Sequence, residues 1–305
     1  MSLNVVIMTT PGEGFHKHLC ASIAARHNVV GIVHPILNRA GGGFFDLKAH
    51  RRAIEKKGFA FHFLTKLGDN KFKKIGWNLE QDVAEAEAGF FPDAQTNYDA
   101  IDPSIIHHVE NINGENSVAL MKSLSPDVII NSGGPIYKKD LIETAPLMLN
   151  YHTGISPIYN GSESIFWPFV NGHPHITGGT LMVMNAGVDA GDMLAHFLPH
   201  VEAGDTPGRQ FMKTIAGGIE LYDKFLTDLS GGKPYVGVPQ GPPLHYTISA
   251  DWTAHQNLMI ERRVKKDVCK KFERGEREQV YWRNVDQENA KRAYEKFLLQ
   301  LINDL

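Results

Sequence analysis

The N-terminal stretch constrains the chain most. Leu3 to Met8 is a short apolar run, Gly14 to Arg26 spaces its apolar residues at a helical period, and Val29 to Val33 is a second apolar run. Runs that are apolar throughout read as strands buried on both faces, and two such strands joined through a helix form a βαβ unit whose strands must be parallel. The alternation returns further along. A helix is expected over Asn116 to Leu124, a strand over Asp127 to Asn131, a helix near Lys139 to Thr144 and a strand over Met148 to Tyr151. A helix over Ser164 to Val170 and strands over Ile176 to Met184 and Met193 to Val201 follow. A long helix then starts at Pro207, with Thr206 as its N-cap, and runs to about Leu229. This order predicts an α/β fold: an open, twisted, mostly parallel sheet with helices on both faces.

Two stretches are less regular. A helix over Leu47 to Lys57 and a strand over Ala60 to Leu64 are expected, but from Thr65 to Ile106 charge, Gly, Asn and Pro interrupt the pattern, and partly helical surface structure is expected there. Gly231 to Pro243, rich in Gly and Pro, reads as a boundary. Beyond it Leu258 to Phe272 reads as a helix dense in Lys and Arg, and Gln287 to Leu305 as an amphipathic helix with Ala293, Phe297, Leu301 and Leu305 at successive i, i+4 positions. The expected organisation is a domain over residues 1–240 and a mainly helical C-terminal extension over 241–305. The extension's apolar stripe is equally suited to pairing with a second copy, giving a homodimer, and to docking on its own domain.

Composition narrows the function. A formal net charge of −3 supplies no general attraction for phosphate backbones or anionic membranes, so nucleic acid would need a local basic patch. Cys20 and Cys269 are the two cysteines and form no CxxC pair, so neither a disulfide framework nor a zinc cluster is expected, and no metal is expected in the site. The N-terminus lacks the basic flank and apolar core of a signal peptide, and no run reaches the roughly 18 apolar residues that span a bilayer. A cytoplasmic protein is expected.

Four motifs bear on chemistry. TTPGEGFHKH follows the first strand with a G-x-G at Gly12 and Gly14, but Lys17 stands where a dinucleotide fingerprint needs a third glycine, and His34 and Pro35 stand where it needs an acid; a tight strand-to-helix turn is the better reading. NRAGGGFFDLKAHRR, flanked by Arg39, Lys48, Arg51 and Arg52, suits an anion-binding loop and a solvated connection about equally. In LNYHTGISPIYNG, Asn150 and His152 alternate along a strand and so leave the same face of the sheet. Taken alone, that pair is either a site at the carboxyl end of a parallel strand or a hydrogen-bonded core histidine beside an amide. In MNAGVDAGDM, Asp189 and Asp192 lie between glycines, either as a plain turn or as carboxylates in reach of an imidazole on the neighbouring strand.

Taken together, N-x-H at Asn150 and His152, P-x-Y-x-G at Pro157, Tyr159 and Gly161, and the turn Val188, Asp189, Gly191, Asp192 resemble the folate-dependent formyltransferase family. That family includes methionyl-tRNA formyltransferase, glycinamide ribonucleotide formyltransferase and the sugar-nucleotide N-formyltransferases. The resemblance runs from Leu3 to Gln240 and is strongest over Pro126 to Asp205. It implies a Rossmann-like formyltransferase fold and transfer of a formyl group from 10-formyltetrahydrofolate to an amine.

By the same resemblance, Asn150 donates its amide to the developing oxyanion, His152 polarises the formyl oxygen or takes the amine proton, and Asp189 holds and charge-stabilises the imidazole. The pterin is held against backbone on Gly134, Pro135, Ile136 and Tyr137 and on Asn185, Ala186, Gly187 and Val188. The acceptor expected is a small-molecule amine, an amino sugar on a nucleotide or an amino-acid-derived amine. The alternatives are methionyl-tRNA, supported by the basic residues near Arg39 and from Arg262 to Lys271, a formyltetrahydrofolate hydrolase, and a non-catalytic folate-binding protein. The chain also departs from its relatives: Asn160 stands where many carry Arg, and residues 244–305 lack the alternating short strands of the β-barrel in the tRNA-formylating relatives.

Overall fold

The computed structural model of the protein describes residues 2–36, 51, 54, 55, 58, 76–184 and 191–304. Most of the expected helix over Leu47 to Lys57, the expected strand over Ala60 to Leu64 and the glycine-rich loop at Gly41, Gly42 and Gly43 lie outside the described residues. An eight-stranded sheet organises the rest. Its strands are β1 (Val5–Thr9), β2 (Val29–Pro35), β3 (Ile106–Val109), β4 (Val128–Ser132), β5 (Leu147–His152), β7 (Gly179–Val183), β8 (Met193–Leu198) and β10 (Arg277–Val280), in the order β10-β8-β7-β5-β4-β1-β2-β3. From β5 to β3 every neighbour is parallel, whereas β7, β8 and β10 run antiparallel to theirs. The expected mostly parallel sheet is the one observed.

Alternation along β1 shows why both faces are covered. Val5 and Ile7 enter one core with Leu19, Ile23, Leu221 and Phe225, from helices α1 (Gly14–Ala24) and α7 (Pro207–Ser230). Val6 and Met8 enter the opposite core with Met121 and Leu141, from α4 (Glu115–Leu124) and α5 (Lys139–Ile142). Helices α2 (Leu79–Phe90) and α3 (Ala94–Asp99) occupy the stretch where partly helical structure is expected. α7 starts as its sequence signals: the Thr206 side chain accepts from the Arg209 amide, with Pro207 in the first turn. A Cβ on Gly217 or Gly218 would lie 2.2 or 2.3 Å from the rings of Phe197 and Tyr151, so these glycines set how closely α7 approaches the sheet.

The C-terminal residues extend this body. Helix α8 (Ala254–Lys265) packs beside α6 (Trp167–Asn171), and α9 (Gln287–Asn303) buries Ala290, Tyr294, Phe297 and Leu301 against the body. The apolar stripe is therefore used within the chain. The helical tail is as expected, but two strands in it are not. β10 pairs antiparallel with β8 at the sheet edge, and β9 (His245–Thr247) pairs parallel with β6 (Tyr159–Gly161) in a separate two-stranded sheet. The reasons are physical: β10 reads Arg-Glu-Gln-Val, a polar face suited to an exposed edge, and three residues are too few to display a period.

Candidate active site

The sheet changes direction of growth between β1 and β4, since the chain runs from β1 to β2 and β3 on one side and from β4 to β5 on the other. Ligands of open α/β sheets bind at the carboxyl ends of strands beside such a switch. A cleft of ≈ 550 Å³ lies there, over the ends of β4 and β5 and the start of α1. Asn150 and His152 both line it, as their alternation along β5 requires.

Asn150 is half-buried and faces Asn131 across the parallel β4–β5 pair. The Asn131 Nδ2 donates to Asn150 Oδ1 at 2.8 Å, and the Tyr137 hydroxyl donates to Asn131 Oδ1 at 2.7 Å. With its oxygen so engaged, the Asn150 carboxamide presents Nδ2 as a donor. His152 is buried at 8% exposure. Its Nε2 donates to the Tyr159 carbonyl at 3.1 Å. Gly154 makes that contact sterically feasible, because a Cβ there would lie 2.6 Å from Nε2. The loop after His152 is pinned from below: Thr180 Oγ1 donates to the Gly154 carbonyl at 2.7 Å and accepts from the Ser156 amide at 2.9 Å, while His196 Nε2 donates to the Ser156 carbonyl at 2.8 Å.

The segment after β4 supplies the cleft's second feature. Gly133 and Gly134 have φ of 72° and 117°, conformations that L side chains rarely adopt. A Cβ on Gly134 would also lie 2.3 Å from the Tyr137 hydroxyl oxygen, so glycine is what lets that hydroxyl reach Asn131. Gly134, Pro135, Ile136 and Tyr137 all line the cleft, and Ile136 is 72% exposed, an unusual state for its type that leaves an apolar surface open. Asn185, Ala186, Gly187, Val188 and Asp189 lie outside the described residues; Met184, the last residue before them, lines the cleft.

Residues 93–218 match the family model described as formyl transferase. That segment is similar to the formyl transferase family. It contains β4, β5, Asn150 and His152. Methionyl-tRNA formyltransferase from Clostridium tetani is 32% identical over 115 residues, covering 37% of each chain. Its counterpart from Koribacter versatilis is 33% identical over 135 residues, 44% of this chain and 43% of its own. The match thus spans less than half the length of these curated relatives. Among solved structures, a 4-N formyltransferase from Francisella tularensis superposes with a TM-score of 0.50 at 14% identity, covering 82% of this chain and 78% of its own. A sugar N-formyltransferase from a Shewanella species does so with 0.50 at 14% identity, covering 84% and 86%. At that identity the likeness establishes the formyl transferase fold.

Several cleft residues in and around this segment escaped sequence reading. Asn131 reads as the end of an apolar strand, and its cross-strand partner Asn150 is not visible in the sequence. His16 and Phe15, at the start of α1, also line the cleft. The His16 Nδ1 lies 2.9 Å from both Glu13 Oε2 and Thr10 Oγ1, and this imidazole holds the Glu13 carboxyl below its usual range, with the Thr10 hydroxyl adding to the effect. The E-x-x-H spacing on one helical turn was the legible sign. Beside Gly12 and Gly14, Glu87 Oε1 accepts from the Phe15 amide at 2.9 Å at the start of α1.

Tyr246, Thr247 and Ile248 complete the far side of the cleft. Their strand is joined to the loop after His152: Leu244 donates to the Pro157 carbonyl at 2.8 Å, His245 to that of Ile158 at 3.0 Å, and Ser162 to that of Thr247 at 2.9 Å. Gly161, at φ 91°, is the motif glycine that accommodates this strand, since a Cβ there would fall 2.1 Å from the Thr247 carbonyl oxygen. Among the described residues no group of three His, Cys, Asp or Glu side chains could hold a metal ion, and no helix is long and apolar enough to cross a membrane.

Proposed function

We propose that the protein is a 10-formyltetrahydrofolate-dependent N-formyltransferase acting on an amine of a small-molecule acceptor, an amino sugar on a nucleotide or an amino-acid-derived amine. The observation that carries this reading is the Asn150 carboxamide in the cleft, its oxygen held by Asn131 and its NH₂ left as a donor, one alternation from His152. Such a donor, placed where negative charge develops on a carbonyl oxygen, typically contributes about 3–4 kcal/mol to an acyl transfer. By resemblance, His152 polarises the formyl oxygen or takes the proton leaving the attacking amine. Asp189 is assigned to hold the imidazole through the family resemblance. In this reading residues 1–240 are the catalytic domain and 241–305 an extension that completes the cleft.

The residues present suit the formyl donor. A volume of ≈ 550 Å³ lies in the range of small-molecule sites, and the exposed Ile136 beside the positive-φ glycines offers an apolar surface and close backbone approach to a flat heterocycle. Gly134, Pro135, Ile136 and Tyr137 would hold it, with Asn185, Ala186, Gly187 and Val188 opposite by resemblance. When bound it supplies the formyl group.

A second reading is methionyl-tRNA as acceptor, favoured by the names of the relatives at 32–33% identity and by Arg262, Arg263 and Lys265 in the last turn of α8. The net charge of −3 weighs against it. Mass spectrometry after incubation with 10-formyltetrahydrofolate and, separately, amino-sugar nucleotides, free amines or methionyl-tRNA distinguishes the two. A formylated small amine supports the proposal. A formylated methionyl-tRNA, with binding that weakens steeply with salt, replaces it with the second reading, and formate alone makes the protein a hydrolase.

A further inference from the structure

We propose that Asn131 and Tyr137 are positioning residues that determine which end of the Asn150 carboxamide faces the cleft; the proposal rests on the formyl-transfer reading. The oxygen and nitrogen ends of a carboxamide are nearly the same shape, so its partners decide its orientation. Here the partners form a chain. Asn131 is buried at 4% exposure, its backbone carbonyl accepts from the Tyr222 hydroxyl at 2.5 Å, and its side chain bridges Tyr137 and Asn150.

The direction of that chain follows from its far end. A phenol keeps its proton when buried, and burial raises the Tyr137 hydroxyl well above the ordinary phenol range. It therefore donates. Two acceptors lie in reach, Asn131 Oδ1 at 2.7 Å and the Gly133 carbonyl at 3.2 Å, and the shorter contact takes the proton. With Oδ1 of Asn131 so occupied, its Nδ2 points to Asn150, where it requires an acceptor. Were Asn150 turned over, two NH₂ groups would oppose each other and a carbonyl oxygen would face the position of the oxyanion. The relay thus keeps a donor at that position before substrate arrives, which spares reorganisation during the reaction.

Asn131→Asp is the test. It preserves shape and still accepts from Tyr137, but an ionised carboxylate cannot donate to Asn150 Oδ1 and draws Asn150 Nδ2 away from the cleft. The readout is tetrahydrofolate release from 10-formyltetrahydrofolate with amino-sugar nucleotides, amino-acid-derived amines and methionyl-tRNA supplied together, so that any of these acceptors or water registers. kcat should fall roughly 100-fold while KM for the formyl donor stays within about threefold. As pH falls the introduced carboxyl regains a proton to donate, so the ratio of variant to wild-type kcat should rise, a signature that a purely structural defect does not produce. Tyr137→Phe, which only frees the direction of Asn131, should lose about fivefold in kcat at unchanged KM. It also carries the test if Asn131→Asp does not fold. Wild-type kcat in folded variants, a loss confined to KM, or a ratio indifferent to pH overturns the relay alone. No release by folded wild-type protein overturns the formyl-transfer reading and the relay with it.

Discussion

The cleft has two walls of different construction. One is the end of the sheet, where Asn131, Asn150 and His152 project from paired strands and every polar group is oriented by a neighbour. The other is Tyr246 and Thr247, on a three-residue strand that arrives from the C-terminal tail, and Ile248 just after it, with Tyr246 49% exposed. In the proposed reading, chemistry that depends on sub-ångström geometry sits on the first, and surface that sets the shape of the opening sits on the second. The difference suggests separable effects: changes at the strand ends should alter kcat, and changes in the tail wall should alter affinity.

The link between the walls gives the largest predicted effect. Phe297 of α9 is buried at 1% exposure and stacks on His196 with ring centroids 5.0 Å apart, and His196 in turn holds the Ser156 carbonyl of the loop after His152. Phe297→Ala should cost about 3–5 kcal/mol, read as a lower denaturant midpoint, and should reduce turnover even where the protein remains folded. An unchanged midpoint would separate the tail from the loop it supports.

Next in size is a pH effect at the same place. Burial lowers the pKa of His196 to about 4, against a smaller opposing contribution from its bond to Ser156. Because the folded value lies below the unfolded one, the unfolded chain takes up the proton first. Stability is complete above about pH 6.5 and declines as pH falls toward 4, by about 3 kcal/mol over the window. Burial lowers His34 and His175 as well, with the same sign. Denaturant midpoints across this range should show a steeper acid decline in wild type than in His196→Gln; equal slopes would remove His196 from the account.

Two smaller changes sharpen the contrast between the walls. Gly218→Ala places a methyl 2.3 Å from the ring of Tyr151, between Asn150 and His152 on β5, and should destabilise by about 1–3 kcal/mol while lowering kcat through the strand. Tyr246→Ala should leave stability and kcat nearly unchanged and weaken ligand binding about tenfold, measured by titration with a stable formyl-folate analogue. If Tyr246→Ala lowers kcat and Gly218→Ala does not, the assigned division of labour is reversed.

The two walls also differ in how far the sequence shows them. The parallel sheet was legible because β1, β2, β4 and β5 are apolar on both faces, and the Asn150–His152 pair because alternation puts both on one side. Asn131 was not, since its importance lies in a cross-strand register with Asn150 that no local pattern encodes. The tail wall was hidden for another reason. β9 is held by hydrogen bonds to Pro157, Ile158 and Ser162 and by the absence of a side chain at Gly161, so the signal lay in its partner segment. β10 is polar because its edge faces water, which removes the apolar run by which strands are recognised.

The central claim is that the Asn150 amide is the donor to the developing oxyanion. It is tested most directly by single-turnover formyl transfer at saturating 10-formyltetrahydrofolate, comparing wild type with Asn150→Ala. The account predicts a rate lower by about 10²- to 10³-fold with donor affinity nearly unchanged, and a stability loss limited to the about 1–3 kcal/mol of leaving the Asn131 amide unpaired. A variant that transfers the formyl group at the wild-type rate would contradict it.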